Sequence, residues 1–395
     1  MSSTTSLSKR FLHWTLFSGA ALAGACASAQ DVGIRAAMVP DANFVIIVNA
    51  ESFRDAPIFP ALDGLRTSPP QGGEQPNGRR QFEEQVKRTL GIAREDFEGV
   101  VFSMDVSGLI AEGEARHPDV NKVPYCGGIR LKKSVTHRQV TDLLRLASGV
   151  QGKELQIFRD QHGQDPLVIF QEQAGPGRPN RGGASAPVTA RVAMALVDGG
   201  TALFFGSAPG VRGALDRYHA GELAPPSDAM LESWRRLPEG SQIFAVATIP
   251  QAVREELKRQ QGVWGEHESG GAMASMMGML SGLRGLSLGA HAHEQLDVTG
   301  QLVLNSAQEA EQIREMAEPL VTAALLKGGS GQLKEERLRA MESIRFAVDG
   351  ASVLLRVSLS QDDAARMQSL RGHRGGSPAR PPARHAPAVP TPYGP

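Results

Sequence analysis

The tetrapeptide His291-Ala292-His293-Glu294 holds the residue types best suited to chemistry in this chain. If residues 286–293 form a strand, His291 and His293 project from one face, because strand side chains alternate with period two. Two imidazoles so placed suit Zn²⁺ or Cu²⁺, and the thioethers of Met273, Met276, Met277 and Met279 just upstream suit Cu(I). The same methionines have a plainer reading. Met273, Met276, Met277, Leu280 and Leu283 recur at helical spacing, the stripe of a helix lying on a sheet, where methionine fills gaps. The histidines then sit at the exposed end of a strand entering the Glu294-Gln295 turn. The helical spacing decides for the plainer reading, which leaves no assigned metal site and His291 and His293 as the candidates for one.

Other reactive groups are scattered. The chain holds no His-Glu-x-x-His, no phosphate-cradling Gly-x-x-x-x-Gly-Lys-Ser/Thr, no Gly-x-Gly-x-x-Gly and no Cys-x-x-Cys. Cys126, in Tyr125-Cys126-Gly127-Gly128, has no nearby His or Cys and reads as a small buried hydrophobe. Asp198 and Asp349 resemble a carboxylate pair, yet each stands in its own Asp-Gly turn, a place aspartate takes for backbone reasons. Lys334-Glu335-Glu336-Arg337 reads as a solvated helix face, and Trp234 and Trp264 as half-buried anchors at segment edges. With no convergent acid–base set, the reading leans away from an enzyme and implies no cofactor.

The elements that would position these groups begin after an export signal. Lys9-Arg10 precedes an uncharged apolar run from Phe11 to Ala25, and Ala27-Ser28-Ala29 supplies small residues before a cut. The run is shorter than the ~20 residues of a membrane span. Residues 1–29 are therefore expected to be a cleaved signal, directing the product to the periplasm or outside. Cys26 offers lipid anchoring as the alternative, although Leu22 stands one position too early for the usual lipoprotein pattern. Cleavage leaves about 366 residues with a net charge of about −2, enough chain for two domains. The whole chain balances 42 basic against 42 acidic residues, which argues against a nucleic-acid protein.

An internal repeat organises the rest. Pro40-Asp41-Ala42-Asn43 leads into Phe44-Val45-Ile46-Ile47-Val48, as Pro238-Glu239-Gly240-Ser241-Gln242 leads into Ile243-Phe244-Ala245-Val246. Helix candidates follow near Ser52–Leu62 and Gln251–Gln260. Thr136…Gln139 and Ser306…Glu309 both fit a capping box ahead of an amphipathic helix, the second containing Pro319. Val197-Asp198-Gly199 and Val348-Asp349-Gly350 both join two apolar strands through a tight turn, with Ser207 and Ser358 at matching places beyond and helices expected at Gly210–Tyr218 and Asp362–Leu370. Stretches 66–80 and 171–190, rich in Pro and Gly, read as disordered insertions in the first unit, and the Pro/Arg-rich tail 371–395 as disordered.

The pattern resembles a loosely defined group of exported bacterial cell-envelope proteins of unknown function, built from tandem α+β repeats. The resemblance is carried by Pro40 to Val48 followed by Ser52-Phe53-Arg54-Asp55-Ala56-Pro57, by Leu90-Gly91-Ile92 with Asp96-Phe97-Glu98-Gly99-Val100-Val101, and by Val197 to Leu215. It spans most of residues 38–360 through apolar and turn patterns, and implies no activity and no site residues.

The expected architecture is α+β: two similar repeats of mostly antiparallel sheet with helices packed on one face, over 30–225 and 226–370. The expected role is non-enzymatic binding or scaffolding in the cell envelope, on an unknown envelope protein or polymer. A hydrolase of envelope material with an interdomain site, and a periplasmic copper or zinc binding protein, are the alternatives.

Overall fold

The computed structural model describes residues 32–67, 77–107, 123–150, 155–172, 191–224, 226–265, 281–326 and 343–366. The expected signal with Cys26, the methionine run, Lys334–Arg337, residues 68–76 and 173–190 of the two insertions, and the tail lie outside them.

Two turns set the frame. Asp41 and Gly240 each hold left-handed backbone, φ 56° and 75°, three residues ahead of a strand. Those strands are β1 (Phe44–Asn49) and β8 (Ile243–Thr248), and they pair antiparallel, Ile46 opposite Ala245. One residue before each strand stands a buried amide. Asn43 donates to Asp105 and Ser107 and accepts from the Val106 N–H, just past β2 (Phe97–Met104). Gln242 donates to the Ala292 carbonyl and accepts from the Ala292 N–H, at the end of β9 (Leu283–Ala292). Each amide thus satisfies buried polar groups where two neighbouring strands meet.

From the β1–β8 seam the sheet grows both ways in the same order. One wing adds β2, β3 (Tyr125–Leu131), β7 (Ala202–Gly206) and β6 (Arg191–Val197). The other adds β9, β10 (Gln295–Leu304), β12 (Ser352–Ser360) and β11 (Ile344–Asp349). The first wing is extended by a hairpin without counterpart, β5 (Asp165–Glu172) and the edge strand β4 (Leu155–His162). The result is one 12-stranded antiparallel sheet of two similar repeats, an α+β fold.

The largest core lies on the face carrying Val45, Ile47 and Val246. There α1 (Val32–Arg35), α6 (Ala208–Ala220) and α7 (Asp228–Arg235) bury Phe204, Leu215 and Met230 completely. Burying side chains of that size contributes roughly 1.5–3 kcal/mol each. Helices cover both faces and not one as expected: on the other face, α4 (Asn77–Leu90) and α5 (His137–Val150) pack through Val86, Leu90, Val140 and Leu144 onto Ile129, Met194 and Leu196. α9 (Ala307–Leu326) sets Ala310 and Ile313 against Leu304 and Val353. α2 (Ala50–Arg54) and α3 (Phe59–Thr67) pack Phe53 and Leu62 against Ala292 and Leu296.

Local chemistry departs from expectation in a few places. The helix expected over Ser52–Leu62 is two, because the chain breaks at Asp55-Ala56-Pro57 and proline restricts the residue before it. Residues 77–80 open α4 instead of continuing a loop. After Pro250 the helix is longer than expected, α8 (Gln251–Gly265), and it includes Trp264. Ser207 caps α6 by accepting from the Gly210 N–H, but Ser358 is still inside β12, donating to Asp297. The second cap is Ser360, whose hydroxyl accepts from the Asp363 N–H while that carboxylate accepts from the Ser360 N–H. The longer strand β12 displaces the helix start. At Thr136 the capping box is complete; at Ser306 the Glu309 carboxylate accepts from the Asn305 N–H, one residue earlier than the motif requires.

Candidate functional site

The strand expected over 286–293 ends at Ala292, so His293 stands beyond it and the two histidines do not share a strand face. His291 is the last residue but one of β9 and half-buried, with Nδ1 2.8 Å from the Gly240 carbonyl, to which it donates. His293 lies exposed in the turn, its backbone bonded to Ile58 and Gln295. No three His, Cys, Asp or Glu side chains gather in metal-binding geometry among the described residues.

Cys126 is fully buried, and burial pushes its thiol up to about 12 against the opposing pull of Arg217. Asp198 sits in the β6–β7 turn at φ 52°, and its carboxylate accepts from the Tyr218 hydroxyl and from Arg130 Nη1, the latter at 2.7 Å. Asp349 stands at the end of β11, nine strands across the sheet, roughly 40 Å away at ~4.8 Å per strand. The two carboxylates cannot act together. Trp234 packs on Phe244 with ring centroids 5.5 Å apart, half-buried over the main core.

One serine pattern escapes the sequence reading. Gly285-Leu286-Ser287-Leu288-Gly289 has the Gly-x-Ser-x-Gly form of a nucleophile elbow, but that motif works by a sharp strand-to-helix turn that exposes the serine. Here all five residues run straight through β9. Ser287 is 3% exposed, and its hydroxyl donates to Gln301, which donates in turn to Ser352 under Arg236. The glycines admit close neighbours: a Cβ on Gly289 would lie 3.1 Å from Ser241 Oγ and one on Gly285 3.0 Å from the Ala247 carbonyl.

The leucines of the same pentapeptide face the other way. Leu286 and Leu288 are 36% and 39% exposed although β9 is an interior strand. Register places Ala247 and Leu302 beside Leu286, and Ala245 and Gly300 beside Leu288. The rows continue across neighbouring strands. Met104, Phe44, Ala247, Leu286, Leu302 and Val353 form one. Phe102, Ile46, Ala245, Leu288, Gly300 and Leu355 form the next. Neither row contains a polar or charged side chain. The small side chains of Ala245, Ala247 and Gly300 leave the leucines standing above a shallow apolar bed, between the helices packed at Ala292 and those packed at Leu304. Period-two alternation in Leu286, Leu288 and Ala290 was its trace in the sequence; among the described residues the opposite face is buried under α7, and this is the side left open.

No family model matches the chain, and no curated protein sequence matches it. Two solved structures do: crystal forms III and I of TP0453, a Treponema envelope protein, each 8% identical, with TM-scores of 0.37 and 0.33. The alignments cover 86% and 87% of this chain and 98% and 99% of theirs. Among the described residues no helix is long and apolar enough to cross a membrane.

Proposed function

We propose that this chain is an exported cell-envelope protein, cut after Ala29, that works by binding and not by catalysis. It takes an apolar stretch of an envelope protein on the bed around Leu286 and Leu288. The observation that carries the reading is the exposure of these two leucines on an interior strand, within two rows that hold no polar side chain. Exposed large apolar groups gathered in one place mark interaction surfaces, where scattered ones do not. A glycan partner would require hydrogen-bonding side chains that the rows do not offer, which favours protein over polymer.

The test compares wild type with the Leu286→Gln, Leu288→Gln double variant. Both residues are exposed, so the variant is expected to fold with unchanged Tm. A photo-crosslinker at Ala247, used in envelope extract, is expected to trap a defined protein band that the double variant loses. Equal trapping by both, or a trapped glycan, would remove the reading.

A further inference from the structure

We propose that the hairpin of β4 and β5, which forms one edge of the sheet, is held on α6 by a proton-dependent clasp. Three contacts tie hairpin to helix. Arg212 Nη2 donates to Asp160 at 2.5 Å, His162 Nε2 meets Asp216 at 2.7 Å, and His219 Nε2 meets Asp165 at 2.5 Å. The helix members recur at i, i+4 and i+7, one stripe along α6. The hairpin members share a face, since His162 lies directly opposite Asp165 and Asp160 is two residues from His162. The histidines are exchanged, one on the hairpin and one on the helix, each against a carboxylate of the other element.

The charges facing one another decide the behaviour. Among the described residues Asp160 and Asp165 on the hairpin and Asp216 on the helix are paired with one permanent cation, Arg212, so with neutral imidazoles these five paired groups and Arg212 together carry a net charge of about −2. Two imidazolium groups bring it to about zero. Among the described residues two further arginines lie near: Arg217 feels Asp216 electrostatically while its Nε donates to the Ala36 carbonyl, and offsets that carboxylate only in part, and Arg159 alternates to the opposite face of β4. Tyr218 stacks edge-on against the His219 ring without bringing charge. A neutral imidazole can still donate from Nε2, so raising the pH weakens the clasp without removing its hydrogen bonds. An imidazole side chain in general changes charge between about pH 5 and 8, which sets the two pH values to compare.

Amide hydrogen exchange on the full chain, corrected for intrinsic rates, tests this at about pH 5.5 and about pH 8. Wild-type β4 and β5 amides are expected to lose protection about three- to tenfold at the higher pH, while β1 and β2 amides do not. The His162→Gln, His219→Gln double variant is expected to show the same hairpin protection at both pH values, with β1 and β2 amides reporting that it has folded. Arg212→Gln should lower hairpin protection at both pH values and keep the pH difference. Equal wild-type protection at the two pH values overturns the clasp, and so does a pH difference that survives in the double histidine variant.

Discussion

Val45 of β1 and Val246 of β8 lie directly opposite one another, each 2% exposed, where the two repeats join. Both belong to the core that α6 and α7 cover, so this face of the seam is buried. Val246→Ala should therefore cost about 2 kcal/mol, through lost burial and the cavity left behind. Urea unfolding should show it as a lower midpoint with an unchanged slope, in one transition. Two transitions would mean that the repeats unfold separately.

Gly199 and Gly200 separate two costs that sequence alone merges. Both hold positive φ, 62° and 93°. A Cβ on Gly199 meets nothing within 4 Å, whereas one on Gly200 would lie 2.2 Å from the Val135 carbonyl oxygen. Gly199→Ala should cost about 1 kcal/mol for the left-handed backbone. Gly200→Ala should cost more than about 3 kcal/mol, because backbone must move as well. Thermal melts of the two variants check the order, and equal losses would show that the α5 entry yields freely.

Cys126 is expected to be inert in the folded chain. Its thiol is buried and pushed up to about 12, so neither access nor thiolate is available at pH 8. Iodoacetamide should label it only after denaturation. Labelling of native protein at a rate comparable to that of the unfolded chain would contradict the packing around β3.

Asp96 links stability to pH. Burial pushes its carboxyl up, but the Ala93 N–H at 2.8 Å and the Lys133 ammonium at 3.0 Å outweigh it and hold the group below the ordinary carboxylate range. A depressed folded value means stability that is present above the unfolded value near 4 and lost as pH falls through the folded one. Asp96→Asn should therefore be about 1 kcal/mol less stable than wild type at pH 7. That gap should close as the pH falls through the folded value of Asp96. A gap that persists in acid would mean that the loss is steric.

Much of the fold is legible in the chain because it is written locally. The turns at Pro40 and Pro238, the Thr136 box and the Asp-Gly turns each need only neighbouring residues, and repeating them in order reveals two similar units. Ser358 shows the limit of that reading. Its spacing from Asp349 matches Ser207 from Asp198, but β12 runs on to Ser360 to pair with the ten residues of β10, and pairing length is set by the partner strand. The β4–β5 hairpin stayed hidden for a related reason: its polar alternation is ordinary until α6 supplies Arg212, Asp216 and His219.

The candidate site divides in the same way. Sequence determined that Leu286 and Leu288 share a face with each other and not with Ser287, since alternation is a property of any extended chain. It could not determine which of those faces is open. That depends on Ala245, Ala247 and Gly300 arriving from neighbouring strands, and on α7 covering the serine side. Such contacts join residues up to about 60 positions apart, and the free energy of burial depends on what covers a side chain, whichever part of the chain supplies it.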